Sequence, residues 1–325
     1  PAKGGIAVGT EKSWAYAKEQ NIPKMFFISK MDEENANFFE VFDSLVNTFG
    51  SGVIAFQIPI IEKEKFVGIV DVINMKAKKF DKDKFVETDI PADLNDKVAE
   101  LREGLKEAVA ETDEELMEKF FEGEDFTPEE INRGLRIGVA DGSIVPVLCG
   151  SAINNAGVQL LMDAIVEYMP APDHNPVVKA KKPGSEDVVE LKVAPDESLS
   201  VLVFKTIADP FVGRISMFRV YSGTLKTDSV VYNSTTEKNE KIAQVFMLRG
   251  KKQIPVDKLI AGDIGAVAKL QLTSTNDTLC EQSKPVVLDK IEFPEPSISL
   301  AVEPKAKGDE EKISSGLQKL QDEDP

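Results

Sequence analysis

The amino-acid order predicts an α/β body followed by an all-β domain, on three observations. Two apolar runs of strand length, 25–28 and 145–149, each end in a cluster of polar or small residues, as buried parallel strands do. Around them, apolar residues recur at helical spacing, as in Phe38, Phe42, Leu45 and Phe49. From Leu199 the period changes to two, in short runs punctuated by turn residues.

The chain opens with a helix through Glu11 to Gln20, which Gly9 or Thr10 can cap and Pro23 closes. The run Met25-Phe26-Phe27-Ile28 then reads as a central parallel strand, with Ser29, Lys30 and Asp32 at its carboxyl end. In an open α/β sheet that end faces the ligand crevice. A helix is expected from Asp32 to Phe49, ended by Gly50-Ser51-Gly52. Strand-like alternation follows over 53–60 and 66–73, with a short strand near Lys78 to Phe80. Helices are expected over 93–110 and 113–121, and Thr127-Pro128-Glu129-Glu130 carries the cap, proline and acids that open a helix toward Ala140. A second buried strand, 145–149, leads through Gly150, Ser151 and Ala152 to a helix starting at Gly157.

The span between the two strand ends is too long for one loop, so residues 54–140 read as an inserted α/β subdomain within a body of 1–172. Pro176, Pro183 and Pro195 mark 173–198 as a linker. Short strands at regular spacing over 199–292 suggest a closed barrel. The remainder, 293–325, offers a strand at 297–304 and a helix at 309–320. These cannot close a core alone, so the tail is expected to be poorly ordered or to borrow contacts.

Composition narrows the classes. A chain of 325 residues that is 42% hydrophobic and 29% charged has material for two or three folded domains. No apolar run approaches the roughly 20 residues of a membrane-spanning helix, and the opening Pro1-Ala2-Lys3-Gly4-Gly5 has no secretory character. Two cysteines, Cys149 and Cys280, suit a reducing cytosol and are too few for a disulfide scaffold or a structural zinc site. The net charge of −17 opposes broad nucleic-acid binding, DNA included. Residues 199–290 nevertheless hold 13 Lys+Arg against 9 Asp+Glu, a local +4. That excess is compatible with one RNA-facing surface, for which Arg214, Arg249, Lys251 and Lys252 are the candidates, and equally with chance.

The strand-end residues suit a guanine base. A carboxylate at Asp32 can accept from the ring N–H and the exocyclic amine together, and the stem of Lys30 can lie on the ring face. Backbone N–H groups near Ser151 and Ala152 can donate to the guanine carbonyl. The competing reading of either cluster is a solvated loop after a strand. His174, the one histidine, sits among prolines and reads as solvated.

Several stretches together resemble the translational GTPases of the elongation factor G type: Gly9-Thr10-Glu11-Lys12, Lys30-Met31-Asp32, Cys149-Gly150-Ser151-Ala152, Asp209-Pro210-Phe211-Val212-Gly213-Arg214, Arg219-Val220-Tyr221-Ser222-Gly223, Ala261-Gly262-Asp263-Ile264 and Phe293-Pro294-Glu295-Pro296. The resemblance implies a partial P-loop GTPase domain with its inserted subdomain, a barrel of the translation-factor type, and the start of a small α+β domain. It also implies guanine contacts from Ser29, Lys30, Asp32, Ser151 and Ala152, GTP or GDP with magnesium in the full-length protein, and a cytoplasmic location. The implied partners are the ribosome, through its RNA at the barrel and its stalk protein at the insert. The family has Asn where this chain has Ser29, whose shorter hydroxyl reaches less far. That departure, with Glu33-Glu34-Asn35, points to a paralogue. No Gly-x-x-x-x-Gly-Lys-Ser/Thr loop occurs, so this stretch alone is expected neither to hold nucleotide firmly nor to hydrolyse GTP. A ribosomal protection protein, a release-factor-type GTPase and a non-catalytic ribosome- or RNA-binding adaptor remain as alternatives.

Overall fold

The computed structural model describes residues 1–81, 84–209, 212–304, 308 and 310–324. They form two compact units, Pro1–Pro170 and Ala171–Pro325.

In the first unit, α1 (Val8–Glu19) precedes β1 (Phe26–Ile28), α2 (Phe38–Phe49) and β2 (Val53–Ala55). α1 begins earlier than expected. Thr10 lies inside its first turn, and the Thr10 hydroxyl accepts from the Ala7 N–H at 3.5 Å. No α1 residue is fully buried. The helix attaches through Trp14, which stacks on Phe26 at 5.7 Å and meets Phe49 in a tilted contact at 4.5 Å between ring centres. α2 begins at Phe38, not Asp32, because Asn35, inside the expected span, takes left-handed backbone (φ 62°) that no helix tolerates. Asn37 then caps it, accepting from the Glu40 N–H at 3.2 Å.

The expected strand over 53–60 is two strands in different sheets. β2 pairs in parallel with β7 (Val145–Cys149), whereas β3 (Gln57–Glu62) pairs antiparallel with β4 (Lys65–Asp71). Phe56 is the junction, its N–H bonded to the Val147 carbonyl and its carbonyl to the Val72 N–H, both at 3.0 Å. The antiparallel sheet therefore starts after Ala55. β5 (Lys76–Asp81) and β6 (Lys84–Thr88) complete an antiparallel sheet in the order β3-β4-β5-β6. β6 has no counterpart in the sequence reading.

Three helices follow: α3 (Asn95–Ala110), α4 (Glu114–Phe121) and α5 (Pro128–Asp141). A 3-10 turn, Ala92–Leu94, takes the first residues expected in α3. The chain returns through β7 to α6 (Val158–Tyr168). The parallel sheet runs β1-β7-β2, so among the described residues β7 is central and β1 outer, the reverse of the role expected of β1. Burial agrees, since every residue of β7 is buried and only Ile28 is in β1.

In the second unit, the stretch expected as a linker is a β-hairpin. β8 (Val177–Lys181) pairs with β9 (Val188–Lys192), turning at Gly184 (φ 67°). Ala180 and Leu191 form one apolar cluster with Leu202, Cys280, Val286 and Leu288. Pro176 and Pro195 flank the hairpin and Pro183 falls in its turn, so none of the three interrupts a strand. The barrel wall is built from β10 (Ser200–Asp209), β11 (Gly213–Ser222), β12 (Thr224–Lys226), β13 (Ser229–Asn233), β14 (Lys238–Ile242), β15 (Val245–Arg249), β16 (Lys252–Val256), β17 (Lys258–Ile260), β18 (Ile264–Ala268) and β19 (Thr278–Cys280). Eight of them run β14-β13-β19-β10-β11-β18-β15-β16 around an apolar centre that includes Val201, Phe218, Val220 and Leu279, and β12 pairs with β17. Pro210 and Phe211, quoted in the resemblance, lie outside the described residues, as does Asp309, the expected start of the last helix.

Residues 297–304 are not a strand. Ile298, Leu300 and Val302 are exposed, and no described strand pairs with them. The final helix, α7 (Glu310–Glu323), borrows contacts from the barrel: the Glu323 carboxylate accepts from the Ala208 N–H of β10 at 2.7 Å.

Candidate functional site

Parallel pairing aligns two strand ends. Phe26 lies opposite Val147, Phe27 opposite Leu148 and Ile28 opposite Cys149, so Ser29 and Gly150 leave the sheet side by side. The Gly150 N–H donates to the Ile28 carbonyl at 3.0 Å, and the Met31 N–H donates to the Gly150 carbonyl at 3.2 Å. Met31 is only 3% exposed. With its side chain buried, the neighbours Lys30 and Asp32 are left exposed on the loop surface. The left-handed backbone of Lys30 makes this reversal sharp.

Each remaining site residue has a distinct setting. Ser29 is half-buried, and its carbonyl accepts from the Ala2 N–H at 2.7 Å; the Ala2 carbonyl in turn accepts from the Asn37 N–H at 3.1 Å. Buried Ala2 thus fastens the loop to the cap of α2, a role with no signal in the sequence. The Lys30 ammonium meets the Glu33 carboxylate at 2.8 Å, and that hydrogen bond, then its charge, raises the Lys30 pKa above the ordinary lysine value. Glu33 was also not anticipated, although its spacing of three from an opposite charge was the available signal.

On the second loop, Ser151 is fully buried and turned inward. Its N–H donates to the Ala156 carbonyl at 2.8 Å, and its hydroxyl accepts from the Asn154 N–H at 3.3 Å. Of the N–H groups near Ser151 and Ala152, that of Ser151 is spent on closing the turn. Ala152 is exposed, its carbonyl accepts from the Asn155 N–H at 3.3 Å, and its own N–H donates to nothing among the described residues.

Close packing requires glycine on this loop. A Cβ on Gly150 would lie 2.5 Å from the Ala156 carbonyl oxygen and 2.6 Å from the Phe27 ring. Gly157 has φ 80°, and a Cβ there would approach the Cys149 carbonyl to 2.6 Å. Cys149 itself is no nucleophile, since complete burial pushes its thiol pKa far above the usual range.

The two loops leave an acceptor carboxylate exposed at Asp32, the Lys30 side chain two residues before it, and at Ala152 an N–H that donates to nothing among the described residues, so the pair can bond a ligand edge that carries both donors and a carbonyl. Among the described residues no group of three or more His, Cys, Asp or Glu could hold a metal ion.

The cationic candidates of the second unit separate into two settings. Arg214 is committed internally, its Nη2 donating to the Thr273 carbonyl at 2.7 Å and the Ser274 hydroxyl at 3.0 Å, with Asp322 at 3.9 Å. Arg249, Lys251 and Lys252 are exposed together at the tip of the β15–β16 hairpin, where Gly250 turns the chain at φ 60°.

Comparison with known proteins covers almost all of the chain. Residues 1–171 match the elongation factor Tu GTP binding domain, residues 198–282 match elongation factor G domain 2, and residues 293–325 match elongation factor G domain III. A crystal structure of a protein from Thermus thermophilus is similar at 28% identity and a TM-score of 0.84; the match covers 100% of this chain and 46% of that one. The chain thus spans about half the length of that relative. No described helix is long and apolar enough to cross a membrane.

Proposed function

The chain belongs to the elongation factor Tu GTP-binding domain family of translational GTPases, and we propose that it is part of an elongation factor G-like protein that promotes ribosomal translocation driven by GTP hydrolysis. The observation that carries this reading is the register of Ile28 against Cys149, which sets the Asp32 loop beside the Ala152 turn. In this reading Asp32 accepts from the two guanine donors and the stem of Lys30 covers the ring. The Ala152 N–H meets the guanine carbonyl, Ser29 supports the loop edge, and Ser151 holds the turn in shape. GTP or GDP and its magnesium would be completed by phosphate- and metal-binding groups that belong to the family and not to the motifs of this stretch. The chemistry those groups supply is phosphoryl transfer to water, while the residues here select and orient the base.

The partners follow the same division. The ribosome is the expected partner in the cytoplasm, with its RNA at the basic β15–β16 tip and its stalk protein at the acidic helices of the insert. Ser29 in place of Asn, together with the Lys30–Glu33 ion pair, favours a second reading in which the nucleotide site is weakened and the chain serves as a ribosome-binding adaptor.

The deciding experiment is Asp32→Asn in the full-length protein, titrated with GTP and XTP. Loss of the preference for GTP by about tenfold or more is expected, as one charge-assisted bidentate pair is worth about 1–3 kcal/mol. Unchanged selectivity would remove Asp32 from the base site.

A further inference from the structure

We propose that the first unit carries a second ligand site, in a cavity of about 300 Å³, that takes a small molecule with an apolar body and a single cationic head. The cavity lies between the 31–39 segment, β3 and the 3-10 turn Ala92–Leu94. Its volume is at the lower end of the range of small-molecule sites. This inference does not rest on guanine recognition, which uses the exposed side of the same loop.

The walls explain the apolar body. Met31, Phe38 and Ile60, almost wholly buried, form an apolar floor, and the half-buried Phe39 and Leu94 with the exposed Ile61 supply the apolar surface that an occupant can cover. Pro59 and Pro91 stand where other residues would present a backbone N–H, so two positions of the wall lack a donor for an anion. An apolar occupant that displaces water from such surface gains from its transfer alone.

The polar groups at the cavity define the head group. Glu62 is already neutralised, its carboxylate held by the Lys79 ammonium at 2.6 Å. Asn37 is also spent, exchanging hydrogen bonds with the backbone and side chain of Glu40. Asp93 lines the cavity, is exposed, and has no partner among the described residues. One uncompensated carboxylate beside an apolar chamber selects a monocation over a neutral or anionic molecule of the same shape.

Met31 links this chamber to the strand-end loop. Its side chain lines the cavity and its N–H bonds the Gly150 carbonyl, so occupancy is read out at the Met31 amide. The test uses the isotopically labelled chain and two probes with one apolar body, adamantan-1-amine and adamantane-1-carboxylate. The amine is expected to shift the amides of Met31, Ala36 and Leu94 saturably, and the carboxylate to bind more weakly. Asp93→Asn is expected to weaken the amine about fivefold, the size of one exposed ion pair, and to erase the preference between the probes. Ala36→Trp, which fills the chamber, is expected to abolish both. Equal binding of the two probes, an unchanged amine affinity in Asp93→Asn, or no binding of the amine up to its solubility would each overturn the proposal. Asp93 is exposed and unpartnered, so that variant remains decisive if Ala36→Trp does not fold.

Discussion

At the scale of single residues, function depends on which polar groups are left uncommitted. Arg214 and Lys251 look alike in sequence, but Arg214 ties the 273–274 loop to its own strand, while Lys251 and Lys252 are exposed at a hairpin tip. Only the second kind can release counterions when it meets a phosphate. The double variant Lys251→Glu, Lys252→Glu is therefore expected to weaken ribosome binding by the full-length protein. The slope of log affinity against log salt should fall by about 2, one for each lost phosphate contact. Binding measured across a salt series checks this, and an unchanged slope removes the hairpin from the RNA interface. The same distinction separates Ser151 from Ala152. Sequence placed both in the base site because both are small, but burial and the Ala156 pairing, which are tertiary facts, commit the Ser151 N–H elsewhere.

Elements were legible wherever a local signal determined them. Thr127, Pro128 and Glu130 announce α5, and the structure closes the reciprocal box: the Glu130 N–H donates to the Thr127 hydroxyl at 3.2 Å, and the Thr127 N–H donates to the Glu130 carboxylate at 2.7 Å. That backbone bond, followed by the Lys119 ion pair, lowers the Glu130 pKa below its ordinary 4.5. A depressed carboxylate contributes stability above its unfolded value, and the contribution is lost as pH falls through the lower folded value. Thr127→Ala is expected to cost about 1 kcal/mol at neutral pH by removing the cap. Glu130→Gln is expected to flatten the loss of stability below pH 4.5. Urea unfolding at several pH values, followed by Trp14 fluorescence, checks both, and a variant with the parent's pH dependence would dismiss the role of Glu130. Elements were illegible where the partner strand decides. Apolar alternation through Val53–Ile60 is continuous in sequence, and only the separate partners β7 and β4 divide it at Phe56. The stretch 297–304 has strand-like alternation but no described strand to pair with, whereas 177–192, with Pro183 accommodated in its turn, found one in itself.

For the whole molecule, the decisive fact is that among the described residues the buried apolar side chains fall into separate clusters, one drawn wholly from the first unit and three from the second. Cooperativity follows shared cores, so the two units are expected to unfold in separate transitions. The chain provides its own reporter, because its single tryptophan, Trp14, lies in the first unit against Phe26 and Phe49. The second unit provides a target in Glu240, 5% exposed, which accepts from the Gln271 and Leu272 N–H groups at 3.2 and 2.7 Å and from the Thr273 hydroxyl at 3.0 Å. Glu240→Ala strands these donors, the Thr273 hydroxyl in full burial, at a cost of about 2–3 kcal/mol. With a urea dependence of about 2 kcal/mol per molar, the transition of the second unit, followed by circular dichroism, should move down by about 1 M. The Trp14 transition should stay where it was. If instead both signals shift together, the barrel and the first unit unfold as one, and the separate cores do not act as separate cooperative units.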